Sequence, residues 1–164
     1  KGTKVVIETS KGNIEVELYH DKAPVTVKNF LDYANAGFYD GTVFHRVIPG
    51  FMIQGGGFTP DGAQKPTHGQ IKLESSNGLK NKVGTIAMAR TNIPDSATSQ
   101  FFINIADNSP LDYAPGNDGY AVFGNVTSGM DVANSIAKVK TSSRDGNGDW
   151  PVEDVVIKKV SVKK

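Results

Sequence analysis

Apolar residues recur along the chain in short runs, each closed about ten positions on by glycine, proline or polar residues. Val5-Val6-Ile7 and Ile14 to Leu18 flank Ser10-Lys11-Gly12-Asn13, the pattern of a β-hairpin. In the second run Ile14, Val16 and Leu18 alternate with Glu15, Glu17 and Tyr19, which predicts a strand with one dry and one wet face. The period then changes. Pro24 suits a first helical turn, and Val27, Phe30, Leu31 and Ala34 follow at i, i+3, i+4 and i+7. Gly37 supplies the stop, so the spacing predicts one amphipathic helix.

The densest apolar stretch runs from Phe44 to Gly57. Two runs flank Pro49-Gly50 and read as strand, tight turn, strand. Strict alternation puts Phe44, Arg46 and Ile48 on one face and His45 and Val47 on the other. Gly55, Gly56 and Gly57 permit close backbone approach or positive φ. They do not make a phosphate loop, because no G-x-x-x-x-G-K-[ST] follows.

A loop is expected from Thr59 to Gln70, then strands at Thr85 to Arg90 and Gln100 to Ile105 around a polar loop from Thr91 to Ser99. A second long loop, Ala106 to Gly119, leads into a strand at Tyr120 to Gly124. Met130, Ala133, Ile136 and Ala137 share one side of a short helix, Met130 to Ala137. After a Gly/Asp loop at Arg144 to Asp149, Val155 to Val162 reads as a final strand. Many short strands and two helices make this a mainly β chain, an antiparallel sandwich or barrel that the two terminal strands could close by pairing. No repeat or linker divides it, so a single domain over residues 1–164 is expected.

Composition narrows the function. Net charge is +1, from 18 basic and 17 acidic residues, so no polybasic field points to nucleic acid or a membrane surface. The absence of cysteine excludes disulfides and thiolate chemistry. No apolar run approaches the roughly 18 residues of a membrane span, and no segment reads as a signal peptide. The chain begins at Lys1 and not at Met, as after removal of a leader or tag. A cytoplasmic protein is expected, with the bacterial periplasm after leader removal as the alternative. The near-neutral composition favours a monomer over a subunit of a larger assembly.

Candidate chemistry is sparse. His20, His45 and His68 lack ligand spacing, and without cysteine a structural zinc site has no basis, so no metal is assigned. Asp145-Gly146-Asn147-Gly148-Asp149 begins like a calcium loop, but Trp150 stands where the turn glycine belongs and Val156 where the bidentate Glu should be. It reads as an acidic surface turn, at most a weak cation site. No G-x-S-x-G is present, and Ser96 and Ser99 have no local base. Asn125-Val126-Thr127 matches a glycosylation sequon but falls on or beside a strand. His45 has no carboxylate near it in sequence and reads as a packed strand histidine. Phe101 and Phe102, being adjacent, face opposite sides, and alternation does not say which faces out. Arg46 is the outlier: a permanent charge beside Phe51 and Met52 either snorkels to water or faces a cleft.

FHRVIPGFMIQGGGF (Phe44 to Phe58), GTIAMAR (Gly84 to Arg90), SQFFI (Ser99 to Ile103) and YAVFG (Tyr120 to Gly124) together resemble the cyclophilins. APVTVKNFLDY (Ala23 to Tyr33) matches that family's first helix, and the NGL…GTIAMAR stretch is most similar to its bacterial-type branch. The resemblance, which runs nearly end to end, implies a closed eight-stranded antiparallel β-barrel capped by two α-helices. It implies cis–trans isomerisation of X-Pro peptide bonds, without metal or cofactor.

On the same resemblance Arg46 is the catalytic arginine, acting with Phe51, Gln54 and Phe102. Phe51, Met52, Phe102 and Leu111 form the pocket for the proline ring. Gln54, Gln100 and the backbone around Ala89, Arg90 and Thr91 bind the substrate main chain, so that Phe102 faces out. The implied partners are proline-containing peptides and unfolded proteins. Two positions depart from the family. Pro110 stands where many members carry a Trp that helps bind cyclosporin, which implies reduced cyclosporin affinity. Tyr120 stands where a His is common and is expected to line the pocket still. The same groove on a binding module or holdase, with incidental turnover, is the alternative.

Overall fold

The computed structural model describes residues 2–163. Its strands and helices are β1 (Thr3–Thr9), β2 (Gly12–Leu18), α1 (Pro24–Asn35), β3 (Thr42–Ile48), β4 (Met52–Phe58), β5 (Thr85–Met88) and β6 (Phe101–Asn104). They continue as β7 (Val122–Ser128), α2 (Met130–Ala137), β8 (Thr141–Arg144), β9 (Asn147–Pro151) and β10 (Val156–Val162). Period-two alternation shapes the first hairpin: every second side chain of β1 and β2 is buried, and the two pair antiparallel from Thr3↔Leu18 to Thr9↔Gly12.

Eight strands close into a barrel in the order β1-β10-β3-β4-β6-β5-β7-β2, every pair antiparallel. The terminal strands do pair, Val5↔Val162 to Thr9↔Ile157, so closure leaves no open edge in this sheet. Between sandwich and barrel, the structure decides for the barrel.

The helices cap the barrel with the faces their periodicity marks. From α1, Val27, Phe30, Tyr33 and Ala34 join the core cluster, and the Phe30 ring lies 5.2 Å from Tyr39 and 5.4 Å from both Phe101 and Phe123. Burying one such ring contributes roughly 1.5–3 kcal/mol. Ala23 offers α1 no side-chain cap; Glu74, from the long β4–β5 loop, instead accepts from the N–H groups of Val25 (3.2 Å) and Thr26 (2.7 Å). These two bonds pin the loop to the start of α1. In α2, Ala133, Ile136 and Ala137 are buried.

Three elements differ from expectation. The stretch Arg144 to Asp149 is not a plain loop: β8 and β9 form a separate two-stranded hairpin around it, mostly polar on both faces and so without an alternating signature. The strand expected at Tyr120 to Gly124 begins at Val122 and runs on to Ser128, because it pairs with β2 to its end. The third concerns Arg46. Along β3, Phe44 opposes Gly55 and Arg46 opposes Gln54, so β3 advances two residues for one on β4. This bulge reverses the phase of the strand. Phe44 and Val47 lie in the barrel core, while Arg46 and Ile48 face outward, so Phe44 does not share a face with Arg46.

The glycines opposite the bulge are required by space. Gly56 has φ +92°, and a Cβ there would lie 2.9 Å from the rings of Phe101 and Tyr39.

Candidate active site

Cross-strand register builds the site. Arg46 on β3 opposes Gln54 on β4, Gln54 opposes Phe102 on β6, and Phe102 opposes Ala87 on β5. Neighbouring strands lie about 4.8 Å apart, which puts a cation, an amide and a ring in one row across about 10 Å of barrel surface. The next row, Val47, Ile53, Ile103 and Ile86, points inward and is fully buried. Phe101 lies in the core and Phe102 in a second apolar cluster outside the barrel, with Met52, Ala87 and Val122.

That second cluster is the floor of a shallow hollow lined by Arg46, Phe51, Met52, Gln54, Ala89, Phe102, Leu111 and Tyr120. Gln100 joins its edge by accepting a 2.9 Å hydrogen bond from Gln54 Nε2. Gly57 leaves room for this: a Cβ there would lie 2.6 Å from the Gln100 side chain. Arg90 and Thr91 are not on the lining. The Arg90 guanidinium donates to the Gly119 carbonyl from Nε (3.1 Å) and Nη2 (2.6 Å) and lies 4.5 Å over the Tyr120 ring. Tyr120 in turn meets Phe102 edge-on at 5.7 Å. Pro110 sits in a single 3-10 turn, Ser109–Leu111.

Arg46 is exposed and, among the described residues, makes no ion pair. An unpaired guanidinium at an apolar wall keeps its donors available for a ligand. Its neighbour His45 is 6% exposed, wedged between Phe58 (4.5 Å) and Trp150 (5.6 Å), and its Nδ1 has no partner among the described residues. Burial first, and the Arg46 charge second, hold this imidazole down at about 4, so it is neutral near pH 7.

Three buried asparagines that sequence reasoning missed hold the walls. Asn108 Nδ2 donates to the Phe51 carbonyl (2.8 Å) and to Asn104 Oδ1 (2.7 Å). Asn104 Nδ2 donates to Asn81 Oδ1 (3.0 Å), and Asn81 Nδ2 to the Leu111 carbonyl (3.0 Å). Only Asn104, a polar residue inside the run Phe101 to Ile105, carried any signal; Asn81 and Asn108 lie in loops.

Residues 4–162 match the model of the family described as cyclophilin type peptidyl-prolyl cis-trans isomerase/CLD. The chain is a cyclophilin. Among its curated relatives, peptidyl-prolyl cis-trans isomerase A of Dickeya dadantii is 55% identical over 98% of this chain and 84% of its own length. Peptidyl-prolyl cis-trans isomerase B of Escherichia coli is 53% identical over 96% of this chain and 98% of its own length. These relatives agree with the bacterial-type branch. The fold also superposes on the crystal structure of a cyclophilin-type isomerase of Cryptosporidium parvum, with a TM-score of 0.82 at 27% identity over 100% of this chain and 99% of that one. This cyclophilin is thus an enzyme of the peptidyl-prolyl isomerase class.

Proposed function

We propose that this isomerase turns X-Pro bonds in unfolded or flexible chains by seating the proline ring on Phe51, Met52, Phe102 and Leu111 and directing Arg46 at the amide nitrogen. The observation that carries the reading is Arg46 itself, a cation without an ion-pair partner among the described residues, on the lip of an apolar hollow. Amide resonance sets a barrier of about 18–20 kcal/mol, while cis and trans X-Pro differ by only about 0.5–1 kcal/mol. No covalent bond breaks. In the twisted transition state the nitrogen loses conjugation, becomes pyramidal and accepts a hydrogen bond that the planar ground state refuses. A donor placed there stabilises the transition state selectively.

One charge-assisted hydrogen bond contributes about 1.5–3 kcal/mol, which is one to two decades of rate. The remainder comes from the apolar wall, which desolvates the amide, and from holding the ring while the preceding carbonyl swings. Gln54, Gln100 and the backbone at Ala89 hold the peptide main chain; Thr91, whose N–H donates to Ser96 Oγ and whose carbonyl accepts from Arg90, lies off the lining. A crystal structure of the Cryptosporidium parvum isomerase determined in the presence of the dipeptide Ala-Pro supports a proline-containing ligand for this groove. Pro110 offers no indole, so cyclosporin is expected to bind weakly.

A protease-coupled isomerase assay on wild type and Arg46→Ala tests the mechanism. The variant is expected to lose about ten- to hundredfold in kcat/KM. Unchanged turnover rules the mechanism out, and peptide binding without wild-type turnover makes the protein a binding module.

A further inference from the structure

A second hollow, of about 450 Å³ and open to solvent, adjoins the first through Arg46 and Gln54. Its other walls are His45, Phe58, Gln100 and the tip of the β8–β9 hairpin, Gly146 to Asp149. Unlike the proline hollow it is polar. The outer wall is built into the fold: Trp150, buried at 3% exposure, packs on His45 and edge-on to Phe58 at 5.5 Å, which ties the hairpin to β3. At the tip, Asp149 holds φ +62°, a conformation costly to most residues with a Cβ and tolerated by Asp. Among the described residues Asp149 makes no ion pair, whereas Asp145, earlier on the same hairpin, meets Arg144 at 4.0 Å.

We propose that this hollow is a subsite for a basic residue flanking the X-Pro pair, with Asp149 as its counter-charge. The inference rests on the isomerase reading of the adjoining groove. A peptide seated there continues past Arg46 and Gln54 into the polar hollow on one side of the X-Pro bond. An acidic flanking side chain meets Arg46 first, pairs with it and draws the guanidinium off the reacting amide. A basic side chain is repelled by Arg46 and held by Asp149 beyond it. Discrimination therefore runs in one direction: Lys or Arg is accepted and Glu or Asp refused.

The test is the isomerase assay with peptides carrying Lys, Gln or Glu at the position before X or the position after proline. The quantity read is the ratio of kcat/KM for the Lys and Glu peptides within each protein. Wild type is expected to favour Lys by about two- to fivefold at one of the two positions, the size expected of an exposed ion pair. In about molar salt the preference fades. Asp149→Asn, which keeps the shape and tolerates the positive φ, brings the ratio down. Asp145→Asn, the same change on the same hairpin but off the lining, keeps the wild-type ratio. Equal wild-type rates for Lys and Glu at both positions overturn the proposal. So does an Asp149→Asn ratio like wild type, or an Asp145→Asn effect as large as that of Asp149→Asn. Failure of the isomerase reading shows differently, as no wild-type turnover of the Gln peptide, and it removes this inference too.

Discussion

His45 makes the acid stability of this protein predictable. Its ring is buried between Phe58 and Trp150, with Nδ1 unpartnered and Arg46 next in the chain. In the unfolded chain the imidazole titrates near its ordinary 6.5; in the fold, burial and then the Arg46 charge lower it to about 4. Between those values the unfolded chain binds a proton that the native state refuses. The contribution of the depressed histidine is therefore fully present above about pH 6.5 and is lost as pH falls toward 4. At about 1.4 kcal/mol per pH unit, the window amounts to about 3 kcal/mol. Urea unfolding at a series of pH values measures it, and the single tryptophan, Trp150, reports from beside His45. The comparison is His45→Phe, which keeps a ring in the slot, removes the titrating group and leaves the carboxylates that also titrate in this range. Wild type is expected to lose about 3 kcal/mol more than the variant between pH 7 and pH 4. At pH 7 the variant is expected to be no less stable than wild type, since an unpartnered buried nitrogen is gone. Parallel pH curves refute the reasoning, for they mean that the native imidazole takes up its proton at the ordinary pH.

Other outcomes follow from the same geometry. Gly56→Ala drives a Cβ to 2.9 Å from Phe101 and Tyr39 at φ +92°, whereas Gly50→Ala, at φ +74°, meets nothing within 4 Å. The first is expected to cost about 3 kcal/mol or more and the second about 1 kcal/mol, read from thermal unfolding; equal losses count against the close-packed bulge. Asn81→Ala removes one of the two bonds that Asn104 Nδ2 donates, leaving it Thr85 Oγ1, and one of the two that the Leu111 carbonyl accepts, leaving it the Tyr120 N–H, so stability falls by about 1 kcal/mol in urea and KM rises in the isomerase assay. An unchanged KM there means that the asparagines do not set the pocket wall. Phe102→Leu is expected to lower kcat/KM severalfold, and Phe101→Leu to lower the melting temperature with kcat/KM unchanged; the reverse pattern overturns the face assignment.

Much of the fold is legible in local pattern. The α1 face was marked by i, i+3, i+4 spacing, and the wet and dry faces of β2 by alternation, because these periods belong to the backbone geometry of single elements. The motif residues also come together in space: Arg46, Phe51, Met52, Gln54, Ala89, Phe102, Leu111 and Tyr120 line one hollow. The β8–β9 hairpin was not legible, since it packs on the barrel through Trp150 and lacks an alternating apolar face. Nor were the roles of Asn81 and Asn108, which depend on carbonyls distant in sequence.

The amino-acid order by itself determined which residue types lie along each strand, where the chain turns, and that a lone arginine stands among apolar neighbours. Only the tertiary structure decided which way that arginine points. Counting by twos from Phe44 sends Arg46 into the barrel; the extra residue at His45, accommodated against glycines on β4, turns it out to the groove. A strand's phase is a property of the pair, because a bulge exists only where two chains disagree by one residue. No reading of a single strand contains that count.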